Sequence, residues 1–243
     1  MVRSARRATI VTIGVALLAG CATTQQEAAR LQLNDARIRA SAVPLRLGGH
    51  NRAVSVVSVA VLASPTGRSS AVLVTLRNRA PHPSSDLPLL VGVTPVDGHK
   101  IYLNRTPEPN YFQNHVPGIP ANGLLRWVLT LDRRLPARAA PFATVGLATA
   151  DPATTIRTLP SLRGAVTRGT RSGAVVEIRN ASGIPQYQLQ VYALAWRRGR
   201  YVAAGQATIS DLGSSASARL PITLVGDLSG ARLSLEVPPT IFN

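Results

Sequence analysis

The sequence predicts an all-β chain of two tandem β-sandwiches behind an export signal and a flexible tether. Three observations predict it. From about Ala53 onward, short runs of β-branched and aliphatic residues are broken by Gly, Pro, Asn and Asp, as in sandwiches rather than in helical or α/β chains. The runs recur as an internal repeat of about 100 residues, the size of one sandwich domain. Before them lies a basic, then apolar leader ending at the sole cysteine, Cys21.

The strand candidates are residues 54–62, 71–76, 89–93, 124–131, 173–178, 189–196, 220–224 and 233–237. In 173–179 the apolar Ala174, Val176 and Ile178 fall on one side and the polar Glu177 and Arg179 on the other, the period of a strand with one wet face. Val175 departs from that alternation.

The repeat aligns Ser70 through Asn78 with Ser172 through Asn180 without a gap. Each copy continues into a Pro-containing loop, an apolar strand and a turn, at Asp97-Gly98 in the first and Arg198-Gly199 in the second. Asp-Gly between apolar runs signals a hairpin. Farther on, the segment Arg126-Trp127-Val128-Leu129-Thr130-Leu131 matches Arg219-Leu220-Pro221-Ile222-Thr223-Leu224. The predicted organisation is therefore a signal peptide at 1–20, a lipidated N-terminus and tether at 21–50, and immunoglobulin-like sandwiches at 51–151 and 152–243. With one cysteine the mature chain forms no internal disulfide, so apolar packing alone must hold each sandwich.

The second copy has a strand ending at Asn180, the segment Tyr192 to Trp196, the turn through Gly199, Ile209 to Gly213, and a closing strand that ends in Val237, Pro238 and Pro239. With these residues it resembles the bacterial β-sandwich modules called FxLYD domains. The resemblance spans roughly residues 171–240. It implies an exported sandwich module, and the fold itself implies no reaction.

The leader has Arg3, Arg6 and Arg7, then an apolar stretch from Ala8 to Leu18. That stretch is shorter than the roughly 20 apolar residues of a membrane span, and its shape is that of a cleaved signal peptide. Leu18-Ala19-Gly20-Cys21 resembles the lipobox of bacterial lipoproteins. The resemblance implies a diacylglyceryl group on the Cys21 thiol, cleavage after Gly20, and attachment to the extracytoplasmic face of a cell membrane. Two acyl chains give durable anchorage where one is marginal. Residues 22–46, rich in Gln, Ala, Thr and Arg, read as the tether.

The chain carries 27 basic and 11 acidic residues, a net +16, and loses three arginines with the leader to stand at +13. Lys100 is its only lysine. The arginines read as scattered, with no basic helix and no aromatic-basic interleaving, which argues against nucleic acid. A basic protein held at a surface is nonetheless drawn to anionic lipids and wall polymers. The first copy carries eight extra residues in 106–123, a Pro-rich stretch whose Tyr111, Phe112 and His115 form the candidate partner-binding loop. The four histidines lack metal-ligand spacing, and no catalytic residues are assigned. The sequons at Asn104 and Asn180 read as noise. The expectation is a non-catalytic interaction or scaffold module in the envelope, without cofactor or metal, its partner an unidentified envelope protein or anionic polymer. The alternatives are an arginine-rich binder of anionic polymers or lipids, and an envelope hydrolase.

Overall fold

A computed structural model of the chain describes residues 45, 47–105, 113–147, 158–169 and 172–240. Within them the chain is all-β and its sheets are antiparallel. In the first half, β1 (Val54–Ala63), β2 (Ser70–Asn78) and β6 (Leu124–Leu131) form one sheet in the order β1-β2-β6. The other sheet centres on β3 (Leu87–Thr94), which pairs with β4 (Ile101–Tyr102), β5 (His115–Val116) and β7 (Ala140–Val145).

In the second half, β8 (Leu162–Arg168), β9 (Gly173–Asn180) and β12 (Ser217–Thr223) are ordered β12-β9-β8. Opposite them β10 (Gln186–Arg197), β11 (Arg200–Leu212), β13 (Val225–Gly226) and β14 (Arg232–Glu236) are ordered β13-β11-β10-β14.

The internal repeat survives at the level of register. Arg126 of β6 stands opposite Thr75 of β2, and Arg219 of β12 opposite Glu177 of β9. These are the positions the sequence alignment equates. The two copies also end β2 and β9 in the same way. Asn78 and Asn180 are both fully buried, and each amide cross-links a corner. The Asn78 Nδ2 donates to the carbonyls of His82 (2.9 Å) and Pro120 (3.1 Å), and its Oδ1 accepts from the Ala80 N–H (2.9 Å). The Asn180 Nδ2 donates to the carbonyls of Ile184 (2.8 Å), Gly213 (3.1 Å) and Leu212 (3.3 Å). Its Oδ1 accepts from the N–H of Ser182 (3.0 Å) and from the Ser182 hydroxyl (2.7 Å). Only a short side chain with both donors and acceptor fills this corner. The sequon asparagines thus have a structural use, for Asn104 is buried too and bonds the backbone of Leu89, Val91 and Gln113.

Strand β9 has the predicted one wet face, with Ala174, Val176 and Ile178 buried and Glu177 and Arg179 exposed. Strands β2 and β10 do not. Both are buried on both faces, and the reason is the stacking of the halves. In β10, Leu189, Val191, Ala193 and Ala195 join a core with Ala174, Val176, Ile178 and Ile222. The intervening Tyr192 and Leu194, with Ala204 and Val225, join the core of the first half, which contains Leu73, Val128 and Trp127. Because Leu73 stands opposite Val128, these two share the face of the β1-β2-β6 sheet turned toward β10 and β11. Sheets therefore pack in successive layers, and one apolar core runs from the first half into the second. Burial of this middle face explains the unbroken apolar runs of β2 and β10, since a strand covered on both sides loses its alternation.

The two predicted turns differ. Arg197 and Arg200 are the last pair of the β10-β11 ladder, with Arg198 (φ 50°) and Gly199 (φ 79°) forming a two-residue turn of type I′. At Asp97-Gly98 the strands diverge after the pair Val93–Ile101, because Pro95 lacks the N–H needed to extend the ladder. Just before β1 the chain lies against the end of β7. Asn51 N–H donates to the Val145 carbonyl (3.1 Å), and a Cβ on Gly146 would lie 2.9 Å from Leu47. The predicted boundary at 151/152 lies outside the described residues.

Candidate functional site

Cys21, Tyr111 and Phe112 lie outside the described residues. His115 lies within them, in β5, where it pairs with Pro88 of β3 and is 9 % exposed. It is thus built into the sheet edge as a buried residue and stands apart from His99, exposed in the β3-β4 turn. Among the described residues no group of three His, Cys, Asp or Glu side chains is placed to hold a metal ion, and no helix is long and apolar enough to cross a membrane.

The titratable groups displaced from their ordinary range lie in the second half and at its junction with the first. Arg126 of β6 reaches across to Glu236 of β14 in an ion pair, the two side chains 32 % and 20 % exposed. Its guanidinium also lies 5.9 Å from the ring centroid of Tyr201 in β11. Desolvation alone would lower the Arg126 pKa, but Glu236 and Tyr201 outweigh it and the net shift is upward. Burial raises the Glu236 carboxyl, and Arg126 recovers only part of the shift.

A carboxyl raised in the fold favours folding most when protonated. Its contribution is fully present below the ordinary glutamate value and is lost as pH rises through the folded value. Glu236→Gln is therefore expected to keep or slightly raise stability at neutral pH. Arg126→Ala leaves an ionised, mostly buried carboxylate alone. Its cost, about 2 kcal/mol near pH 7, falls below that of a fully buried pair because Arg126 keeps a third of its surface in water. That cost should shrink at pH 4, which lies below the raised Glu236 value and leaves the carboxyl protonated. Urea unfolding of the three proteins at both pH values checks the order, and equal losses at both would contradict it.

Tyr192 is fully buried at the same junction, and burial pushes its phenol well above the ordinary value. Its hydroxyl has no hydrogen-bond partner among the described residues. These shifts mark a structural junction between stacked sheets, with polar groups drawn into an apolar layer.

The most distinctive surface feature is the end of the β10-β11 hairpin. Trp196, Arg197, Arg198, Gly199, Arg200 and Tyr201 follow one another there, and Arg232 of β14 stands opposite Trp196. The reading of the arginines as scattered, without aromatic-basic interleaving, is corrected at this point. The signal was present in six consecutive residues, and only the tight turn shows that they share one tip. Trp196 meets Tyr201 edge-on at 4.8 Å between centroids and is 40 % exposed. Arg197 is oriented by Asp227 (3.0 Å) and by the Ser229 carbonyl. Asp227 is pulled down to about 2, first by the backbone N–H of Ser229 and then by its side chain and by Arg197. A second basic face, with Arg163, Arg179 and Arg219 around Glu177, covers the outside of the β8-β9-β12 sheet, where Arg219 pairs with Glu177 at 3.4 Å.

No protein-family model and no curated protein sequence matches the chain. Among solved structures, a crystal structure of red sea bream transglutaminase is similar at 11 % identity over 74 % of this chain and 29 % of that one, with a TM-score of 0.21. The chain thus spans less than a third of that protein's length, and no function is drawn from a likeness at this level.

Proposed function

We propose that the protein is a membrane-anchored extracytoplasmic lipoprotein that serves as a non-catalytic interaction or scaffold module. The observation that carries the anchoring is the lipobox-like Leu18-Ala19-Gly20-Cys21 behind a basic, apolar leader. The scaffold reading is supported by the layered sheets. Two apolar cores that share strand β10 make a stiff body that holds surface features at fixed separations. The groups whose ionisation the fold perturbs, Arg126, Glu236, Tyr192 and Asp227, are engaged in packing and in turn geometry.

Metabolic labelling with a fatty-acid analogue in a bacterial host tests the anchor. The parent chain should take up label and fractionate with membranes, and Cys21→Ser should lose both. An unlabelled parent chain would remove the lipoprotein reading. Crosslinking in living cells then identifies what the module holds. The basic hairpin tip favours a second reading within the same location, attraction to anionic envelope components.

A further inference from the structure

The tip of the β10-β11 hairpin gathers basic residues from two neighbouring strands and the turn between them. Arg197, Arg198, Arg200 and Arg232 gather at its end against one carboxylate, Asp227, an excess of three positive charges. Arg198, Arg200 and Arg232 are exposed, and they surround shallow basins whose floor includes Trp196, Ser229 and Gly230. Arg198 occupies the left-handed region (φ 50°), where Gly, Asn and Asp are the favoured turn residues. A guanidinium is thus carried at a position where local conformation alone would select another residue.

The indole beside these guanidiniums indicates which anion the tip suits. A dissolved polymer would be followed by a track of cations along a groove, whereas this cluster is only one hairpin tip wide. Guanidiniums pair bidentately with phosphate oxygens. An exposed indole, amphipathic and rigid, settles at the boundary between headgroups and acyl chains. We propose that the β10-β11 tip is a docking surface for anionic phospholipid headgroups, with Arg198, Arg200 and Arg232 on the phosphates and Trp196 in the interfacial layer.

For its location this rests on the lipoprotein reading. The 25 residues between Cys21 and Leu47 could span up to about 85 Å when extended, enough for the tip to turn back to the surface from which the chain is suspended. The docked body would then lie against the membrane at two points, its lipid and its hairpin.

The test uses the full chain carrying Cys21→Ser, so that a failure of lipidation leaves the result untouched. Partition onto vesicles of phosphatidylglycerol and phosphatidylcholine is compared with partition onto phosphatidylcholine alone, and tryptophan emission is followed. The chain has two tryptophans, and Trp127 is fully buried, so a blue shift on binding reports Trp196. Residues 1–20 also favour vesicles, but they are common to every variant and cancel in the comparison. Each basic residue near an anionic surface contributes about fivefold to partition. Arg198→Asn with Arg200→Gln is therefore expected to weaken partition about 25-fold, and Trp196→Phe to remove the emission shift. Arg198→Asn also suits the turn, so the double variant should fold as the parent does, which circular dichroism checks.

Equal partition of parent and double variant would overturn the proposal. So would binding without an emission change. So would an equal shift produced by soluble polyphosphate, which would assign the tip to a dissolved polyanion.

Discussion

Asn180→Ala should lower the stability of the chain by about 3 kcal/mol, because the lost amide strands several buried backbone groups at once, each costing about 1–3 kcal/mol before relaxation. At 2–4 °C per kcal/mol for a chain of this size, the melting temperature should fall by about 10 °C. The Asn180 amide holds the carbonyls of Ile184, Leu212 and Gly213 and the N–H of Ser182. Alanine offers none of these bonds and leaves a void. Asn180→Asp keeps the acceptor for Ser182 and replaces the donor to three carbonyls by a negative charge, so it should be no better tolerated. The effect should also be felt at a distance. In a Trp196→Phe background the sole indole is Trp127, in the first half. Its fluorescence should report the same lowered midpoint, because residues of the second half pack into the core that holds Trp127 and the halves are expected to unfold together. An unchanged Trp127 midpoint would mean that the halves melt independently.

Leu73→Asp should have a larger effect and a different character. Leu73 is 2 % exposed on the face of β2 that meets the second half, in one apolar cluster with Tyr192, Leu194 and Ala204. A carboxylate placed there would be buried among apolar side chains, with Arg126 on the same face of β6 already paired to Glu236, and ionising it would cost at least about 4 kcal/mol. The cheapest relief is for the two layers to part and admit water, leaving the Val72, Val74 and Leu76 side of β2 in place. Scanning calorimetry should therefore show one endotherm for the parent and two for the variant, the second half melting apart from the first. A single endotherm at the parental temperature would place Leu73 outside the junction.

Much of this architecture is legible in the chain because strand signals and repeats are local. All eight predicted apolar runs fall on or overlap strands, and the aligned copies stand in the same register. The strands that escaped notice show what the pattern depends on. Strand β8 reads Leu-Arg-Gly-Ala-Val-Thr-Arg and is mostly exposed, so it has little apolar pattern to detect. Strand β11 is long but built from small residues, where Gly205 is required because a Cβ would lie 2.2 Å from the Thr223 carbonyl oxygen. Close approach of two backbones leaves no signature in hydropathy.

The stacking of the halves was hidden for a related reason. A second buried face turns alternation into a continuous run, which also fits a sandwich-core strand buried from both sides within a single domain. The site was least legible. Arg232 joins the Trp196 to Tyr201 segment only through the pairing of β14 with β10, a contact between residues more than thirty positions apart. The sequence feature that anchors the proposed location, Cys21, lies outside the described residues.

Strand β10, whose alternate residues serve two cores, also sets an order of events during synthesis. The face of β2 and β6 bearing Leu73 and Val128 is covered by residues 192 to 225. When the first half has been delivered and the second has not, that face is bare, an apolar surface of the kind that draws nascent chains into wrong associations. The duplicated copies are consequently unequal partners in time: the first can close its inner core on its own strands, but its outer face waits for the second to arrive.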